Sequence, residues 1–222
     1  DSYEETEVLL SKLSQPVRDW FIDKFPDFTD PQKMAIPSII DGEHLLLCSP
    51  TGSGKTLTAF LTIIDKLVRL AIDGKLEKQV YCVYISPIKA LANDIQRNLI
   101  GPLTEIKERF LPARAQEIKV GLRTGDTPQS ERQKMLRKPP HILITTPESL
   151  GLALASKKFR PLMNDLKWLI TLLSVAMGYF VVQKKKLLLE EQQLLEMVPA
   201  LVPRLPPLPA NAPLPSQPPL NW

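Results

Sequence analysis

The residues with the clearest chemical capacity are Ser49-Pro50-Thr51-Gly52-Ser53-Gly54-Lys55-Thr56. Glycines at 52 and 54 let the backbone close around an anion, with the N–H groups from Gly52 to Thr56 turned inward. Lys55 can reach the β- and γ-phosphates of a nucleotide, and the Thr56 hydroxyl can ligate Mg²⁺. The general phosphate-loop pattern has Gly where this chain has Ser49. The competing reading is a chance Gly/Ser turn before a surface helix, and the flanking elements decide between the two.

Those flanks are what a phosphate loop needs. The apolar run His44-Leu45-Leu46-Leu47-Cys48 reads as a strand. Beyond the loop, Ala59, Phe60, Ile63, Ile64, Leu67 and Leu70 recur at three- and four-residue steps and share one helical face. The new helix N-terminus adds partial positive charge beside the anion. Just upstream, Phe28-Thr29-Asp30-Pro31-Gln32 starts another helix. Thr29 and Gln32 have capping-box spacing, and Gln32 is equally placed to read an adenine. The sequence leaves both roles open, and both can hold at once.

Four further strands follow. Gln79–Ser86 is β-branched and aromatic, Ile118–Leu122 alternates, His141–Thr145 is apolar, and Lys167–Ile170 opens the last. Leu91, Ile95 and Leu99 mark a helix between the first two, and Ser130–Arg137 a short basic one. Thr146 suits an N-cap, Pro147 the first helical position and Glu148 the positive helix end. Strands alternating with helices predict an α/β fold with a mostly parallel sheet, helices on both faces and ligands at the strands' carboxyl ends. Loops starting at 49, 86, 123 and 146 should therefore line one rim.

The chain has 222 residues, a net charge of +4 and an isoelectric point near 9.0, enough for one domain plus an appendage. The charge permits a polyanionic partner without requiring one. Cys48 and Cys82 each sit in an apolar run and read as core residues of a protein in a reducing, cytoplasmic compartment. His44 and His141 stand alone, so no metal cluster is expected. The acidic N-terminus is not a secretory leader, and a chain opening on Asp1 without Met reads as trimmed.

From about residue 8 to 170 the chain resembles the first RecA-like domain of large helicase-related (Lhr-type) ATP-dependent helicases, DEAD/DEAH-box members of superfamily two. The motifs come in that family's order. Phe28 to Gln32 with Ala35-Ile36-Pro37 resembles the adenine-reading Q motif, and Ser49 to Thr56 resembles motif I in its small-residue variant. Ser86-Pro87-Ile88-Lys89-Ala90-Leu91-Ala92 resembles motif Ia, Arg123-Thr124-Gly125-Asp126-Thr127 the Gly-Asp-Thr element, and Thr146-Pro147-Glu148-Ser149-Leu150 motif Ib.

The resemblance implies a division along the rim. Gln32, Pro50, Thr51, Gly52, Ser53, Gly54, Lys55 and Thr56 would hold ATP, with Lys55 and Thr56 taking part in catalysis and Thr56 holding Mg²⁺. Ser86, Pro87, Lys89, Thr127, Thr146 and Pro147 would touch the backbone of single-stranded DNA or RNA. Arg132, Lys134, Arg137 and Lys138, with Lys157, Lys158 and Arg160, either extend the positive field or form an ordinary solvated face.

The pattern breaks after Ile170. Helicases of this family continue with an Asp-Glu pair that holds Mg²⁺ and activates water. Here Thr171-Leu172-Leu173-Ser174 follows, no acidic residue occurs between Asp165 and Glu190, and the chain has no Asp-Glu dipeptide. Asp126, at another strand end, is a weakly supported substitute. The family's second RecA-like domain, with its arginine finger, is missing too, so hydrolysis by this chain alone is expected to be weak or absent.

The expected organisation is a helical lead-in at 1–28 and an incomplete ATP-binding domain at 29–170. An apolar, then Lys/Leu/Glu-rich helical segment occupies 171–198, and a disordered proline-rich tail 199–222. Thr171 to Trp222 reads as foreign to the domain, a frame-shift or junction product. Two alternatives to a helicase piece are carried forward. One is a non-catalytic nucleotide- or nucleic-acid-binding module recruiting a proline-recognition partner through Arg204–Pro209. The other, disfavoured on length, is a membrane tether through Trp168–Val182.

Overall fold

The central strands bury both faces, and that settles the architecture. In a computed structural model, which describes residues 2–48, 53–86, 94–174 and 179–184, Cys82, Tyr84, Ile142, Ile144 and Ile170 enter one apolar cluster. Their neighbours Val83, Ile85 and Leu143 enter a second. Side chains alternate across a strand, so the sheet carries a core on each face.

In chain order the elements are α1 (Ser2–Lys12), α2 (Gln15–Lys24), α3 (Asp30–Asp41), β1 (Leu45–Cys48), α4 (Lys55–Ile72) and β2 (Cys82–Ile85). A π-helical turn at Gln96–Ile100 runs into α5 (Gly101–Arg109), followed by β3 (Val120–Arg123), α6 (Gln129–Arg137), β4 (Ile142–Thr145) and α7 (Pro147–Ala155). A 3₁₀ turn at Arg160–Met163 leads to β5 (Trp168–Ser174) and β6 (Tyr179–Lys184).

Six strands form one sheet in the order β1-β6-β5-β2-β4-β3. β5, β2, β4 and β3 are mutually parallel, with Val83 opposite both Leu143 and Leu169. β6 is antiparallel to both β5 and β1, so β1 points the same way as β5. The loops after β1, β2, β3 and β4 therefore leave the sheet at one edge, as expected for a ligand-binding rim.

α4 departs from the single apolar stripe expected of it. Thr58, Thr62 and Asp65 are buried along with Ala59, Phe60, Ile63, Ile64 and Leu67. The helix is wrapped by the sheet on one side and by α2, α3 and the π-helical turn on others, so its polar positions are enclosed too. Thr58 and Thr62 meet that enclosure by donating to the carbonyls of Gly54 and Thr58 one turn back.

The lead-in is part of this core. Val17, Trp20 and Phe21 of α2 are buried, Phe21 stacks on Phe28 with ring centroids 4.1 Å apart, and the Trp20 indole donates to Glu105 of α5 at 2.8 Å.

One expectation is corrected. Cys48 is exposed while Cys82 is buried. β1 is an edge strand, and along it Leu45 and Leu47 are half-buried while Leu46 and Cys48 face outward, so an apolar run did not mean a doubly buried strand. The sheet also continues past Ile170. β5 runs to Ser174, and β6, rich in aromatic and β-branched residues that suit a pleated surface, fills the slot beside β1. Among the described residues no helix is long and apolar enough to cross a membrane. The Lys/Leu/Glu-rich helical part expected within 171–198 and the proline-rich stretch at 199–222 lie beyond Lys184, outside the described residues.

Candidate functional site

α4 starts beside α3, and this brings the two upstream motifs together. Gly54 is the residue before α4 and adopts a left-handed backbone, φ 82°. A Cβ there would come within 2.9 Å of the Gln32 side-chain nitrogen, so handedness and space both call for glycine. The Thr29 hydroxyl donates to the Ser53 carbonyl at 3.0 Å, fastening the start of α3 to the loop.

Gln32 is 3% exposed and closes the expected capping box, its side-chain oxygen accepting from the Thr29 N–H at 2.9 Å. That oxygen is thereby engaged, and the amide nitrogen is the end that lies against Gly54. Pro50, Thr51 and Gly52 lie outside the described residues.

Lys55 and Thr56 form the first turn of α4. Lys55 is buried. Desolvation holds its ammonium pKa below the ordinary lysine value, opposed by the Asp94 carboxylate and the Cys48 thiol. Thr56 donates to Oδ2 of Asp94 at 3.0 Å, and Oδ1 of the same carboxylate accepts from Asn98 at 2.9 Å. Asp94 is an acid the sequence reading did not single out, having looked to Asp126 instead; Asp126 is exposed. A signal existed in the Leu91, Ile95, Leu99 stripe, because Asp94 and Asn98 are also one helical turn apart and share a face. What no spacing announced is that this face meets α4.

Thr56, Asp94 and Asn98 supply oxygen atoms of the kind Mg²⁺ takes. No group of three or more His, Cys, Asp or Glu side chains that could hold a metal occurs among the described residues.

The other half of the rim is built from β2, β3 and β4. Ser86 is 1% exposed, its N–H bonded to the Thr145 carbonyl at 3.1 Å, so this residue is enclosed. Thr127 accepts from the Thr124 N–H at 2.8 Å, closing the turn after β3. Thr146 caps α7 by accepting from Ser149 N–H at 3.4 Å, and Pro147 is exposed at the first helical position. The hydroxyls of Thr127 and Thr146 thus shape the loops that carry them. Pro87 and Lys89 lie outside the described residues.

Arg132 is not a solvated cation. Its guanidinium donates to the carbonyls of Thr127, Thr124 and Gly125 at 2.9, 3.3 and 2.8 Å, bracing the turn from α6. Lys134, Arg137, Lys138, Lys157, Lys158 and Arg160 are exposed.

Sequence comparison places this geometry. The profile of the DEAD/DEAH box helicases matches residues 29–171. The ATP-dependent helicase Lhr-Core of Sulfolobus acidocaldarius is 54% identical over 166 residues, 74% of this chain and 18% of that protein. The Lhr-Core of Methanocaldococcus jannaschii is 51% identical over 160 residues, 71% of this chain and 19% of that protein. The chain thus spans about a fifth of the length of these curated relatives. Among solved structures, Mycobacterium smegmatis helicase Lhr bound to ssDNA and AMP-PNP superposes with a TM-score of 0.64 at 41% identity, covering 73% of this chain and 20% of that one. The fold is accordingly RecA-like.

Proposed function

This chain belongs to the DEAD/DEAH box helicase family, and from that premise we propose that it is the first ATP-binding domain of an Lhr-type helicase or translocase that moves on single-stranded nucleic acid. The observation that carries the reading is the joint between Thr29, Gln32, Ser53 and Gly54. An adenine-reading glutamine packed against a phosphate loop has no structural necessity beyond its cap, and explains why the buried amide sits there.

In this reading the N–H groups of residues 52–56 wrap the phosphates and Lys55 neutralises their charge. Thr56 holds Mg²⁺, which when bound would screen the β- and γ-phosphates. Asp94 orients the Thr56 hydroxyl and sets a negative charge near Lys55. The loops after β2, β3 and β4 bind the strand's phosphates, a backbone readout that does not distinguish DNA from RNA without 2′-hydroxyl contacts.

The domain organisation proposed is a helical lead-in at 1–28 and an ATP-binding domain from 29. The absence of an acidic residue between Asp165 and Glu190 specifically favours a second reading, in which this chain binds ATP and strand but turns over little ATP by itself.

Fluorescent ATP titration tests the nucleotide half. ATP should bind in preference to GTP, and Gln32→Ala should shrink that preference by about tenfold, the equivalent of roughly one hydrogen bond to a desolvated base. Equal affinity for GTP in the unaltered chain would refute adenine readout. Steady-state hydrolysis with and without single-stranded DNA separates the helicase reading from the binding-only one.

Asp94→Ala tests the carboxylate. Removing a group that orients a metal ligand lowers metal affinity by about 10–100-fold. The ratio of ATP affinity in Mg²⁺ to that in EDTA should fall accordingly, while affinity in EDTA is not weakened, because the variant removes a negative charge near Lys55. An unchanged ratio would exclude Asp94 from positioning Thr56.

A further inference from the structure

β3 closes one side of the sheet, and among the described residues no strand pairs with its outer edge. Just before it, Lys119 turns its backbone inward. The Lys119 N–H donates to Nδ1 of His141 at 3.0 Å, and its carbonyl accepts from the His141 and Ile142 N–H groups at 2.8 and 3.1 Å. Backbone direction alternates from residue to residue along a strand, and Val120 stands opposite Ile142 in parallel register. The N–H and carbonyl of Val120 and the N–H of Leu122 therefore point outward, away from β4. The Leu122 carbonyl points the same way and accepts from the Thr127 hydroxyl at 3.4 Å.

A cleft of about 370 Å³ runs beside this edge, with Ile118 and Val120 on one wall and Val68, Ile100, Leu103 and Ile106 on the other. Its polar groups are used within the chain. Thr104 donates to the Ile100 carbonyl at 2.8 Å, Gln116 bonds the N–H and carbonyl of Leu76 at 2.7 and 3.3 Å, and Lys107 faces Glu117 at 3.8 Å. The surface left to meet a ligand is aliphatic. Alternate residues of a strand share a face, so the row through Ile118 and Val120 continues to Leu122, which is 51% exposed. An unpaired edge beside an apolar cleft suits an extended peptide. Main-chain hydrogen bonds hold such a peptide, and the cleft selects its alternate side chains.

Charge narrows the occupant. The residues that alternate with the apolar row are Lys119, Gly121 and Arg123. In an added antiparallel strand, residues directly opposite share a face, where opposite charges attract and like charges repel. A second copy of β3 paired about Gly121 would set Lys119 against Arg123. We propose that the outer edge of β3 takes up, as an added strand, an extended segment of a partner protein in which apolar residues alternate with acidic ones. The apolar side chains enter the cleft and an acidic one lies opposite Lys119. This surface is the side of the sheet, separate from the rim at the strands' carboxyl ends, so it stands whether or not that rim binds nucleotide or nucleic acid.

The test titrates the full chain by calorimetry with the peptide acetyl-Val-Glu-Val-Glu-Val-Glu-Val-amide. Saturable one-to-one binding is expected. The same peptide N-methylated at its valines, whose N–H groups would meet Val120 and Leu122, should bind at least about tenfold more weakly. Leu122→Pro removes an outward N–H and leaves the ladder to β4 intact, a place where an edge strand tolerates proline. It should retain the melting temperature and lose about tenfold in peptide affinity. Lys119→Glu should weaken the Val-Glu peptide several-fold and strengthen its Val-Lys counterpart.

Absence of binding by the Val-Glu peptide, equal affinity of the N-methylated one, or an unchanged charge preference in Lys119→Glu overturns the proposal. Should Leu122→Pro not fold, the N-methylated peptide and Lys119→Glu decide. If sedimentation shows the unaltered chain dimeric and Leu122→Pro monomeric, the occupant is a second copy and the partner assignment falls.

Discussion

Lys55→Ala is expected to lower ATP affinity by about 30- to 1,000-fold, the 2–4 kcal/mol that follows from deleting one partner of a desolvated charge pair. Lys55 occupies the first turn of α4, 6% exposed, where its ammonium has lost most of its water. Desolvation lowers its pKa, so the enclosed ammonium gains more from a phosphate than an exposed lysine would. Binding an anion favours the protonated form, so ATP affinity should decline with rising pH before the ordinary lysine range of about 10.4 is reached. The loss should be confined to nucleotide, with single-strand binding at the opposite edge of the sheet retained. An ATP affinity within threefold of the unaltered chain, measured on folded protein, would remove the phosphate-loop assignment and the reading built on it.

Much of this rim was legible because phosphate loops, caps and parallel strands are local features. Thr29 and Gln32 sit three residues apart, and their box formed as the spacing required. The strand run His141–Thr145 announced β4. Features set by tertiary contact stayed hidden. Cys48 lies in an apolar run, yet only the strand order reveals that β1 is an edge. Asp94 is one acid among many until α4 is packed against the π-helical turn. Arg132 looked like a member of a basic surface run because charge patterning cannot say where a guanidinium ends, and here it ends on three backbone carbonyls.

Asp65 illustrates the same limit and carries the largest expected effect on stability. A carboxylate in the middle of an apolar helix looks like a flaw in the pattern, yet it joins the lead-in to the core. It is 3% exposed. Oδ1 accepts from the Ser14 N–H at 2.6 Å, at the junction of α1 and α2. Oδ2 accepts from Arg69 at 2.9 Å, and Arg69 in turn donates to the Lys12 carbonyl at 2.8 Å.

Asp65→Ala strands the Ser14 N–H and releases Arg69 from its partner. Leaving such groups unpaired costs about 2–4 kcal/mol, a fall in melting temperature of about 5–15 °C for a domain of this size. Asp65→Asn keeps an oxygen for Ser14 but gives up the ion pair, so it should lose roughly half as much. Because Asp65 is about 15 Å along α4 from Lys55, ATP affinity below the melting range should hold in both variants. Thermal unfolding followed by circular dichroism measures the difference. Coincident melting of Asp65→Ala and the unaltered chain would mean that the lead-in is not held to α4 through this carboxylate, and that Val17, Trp20 and Phe21 alone anchor it.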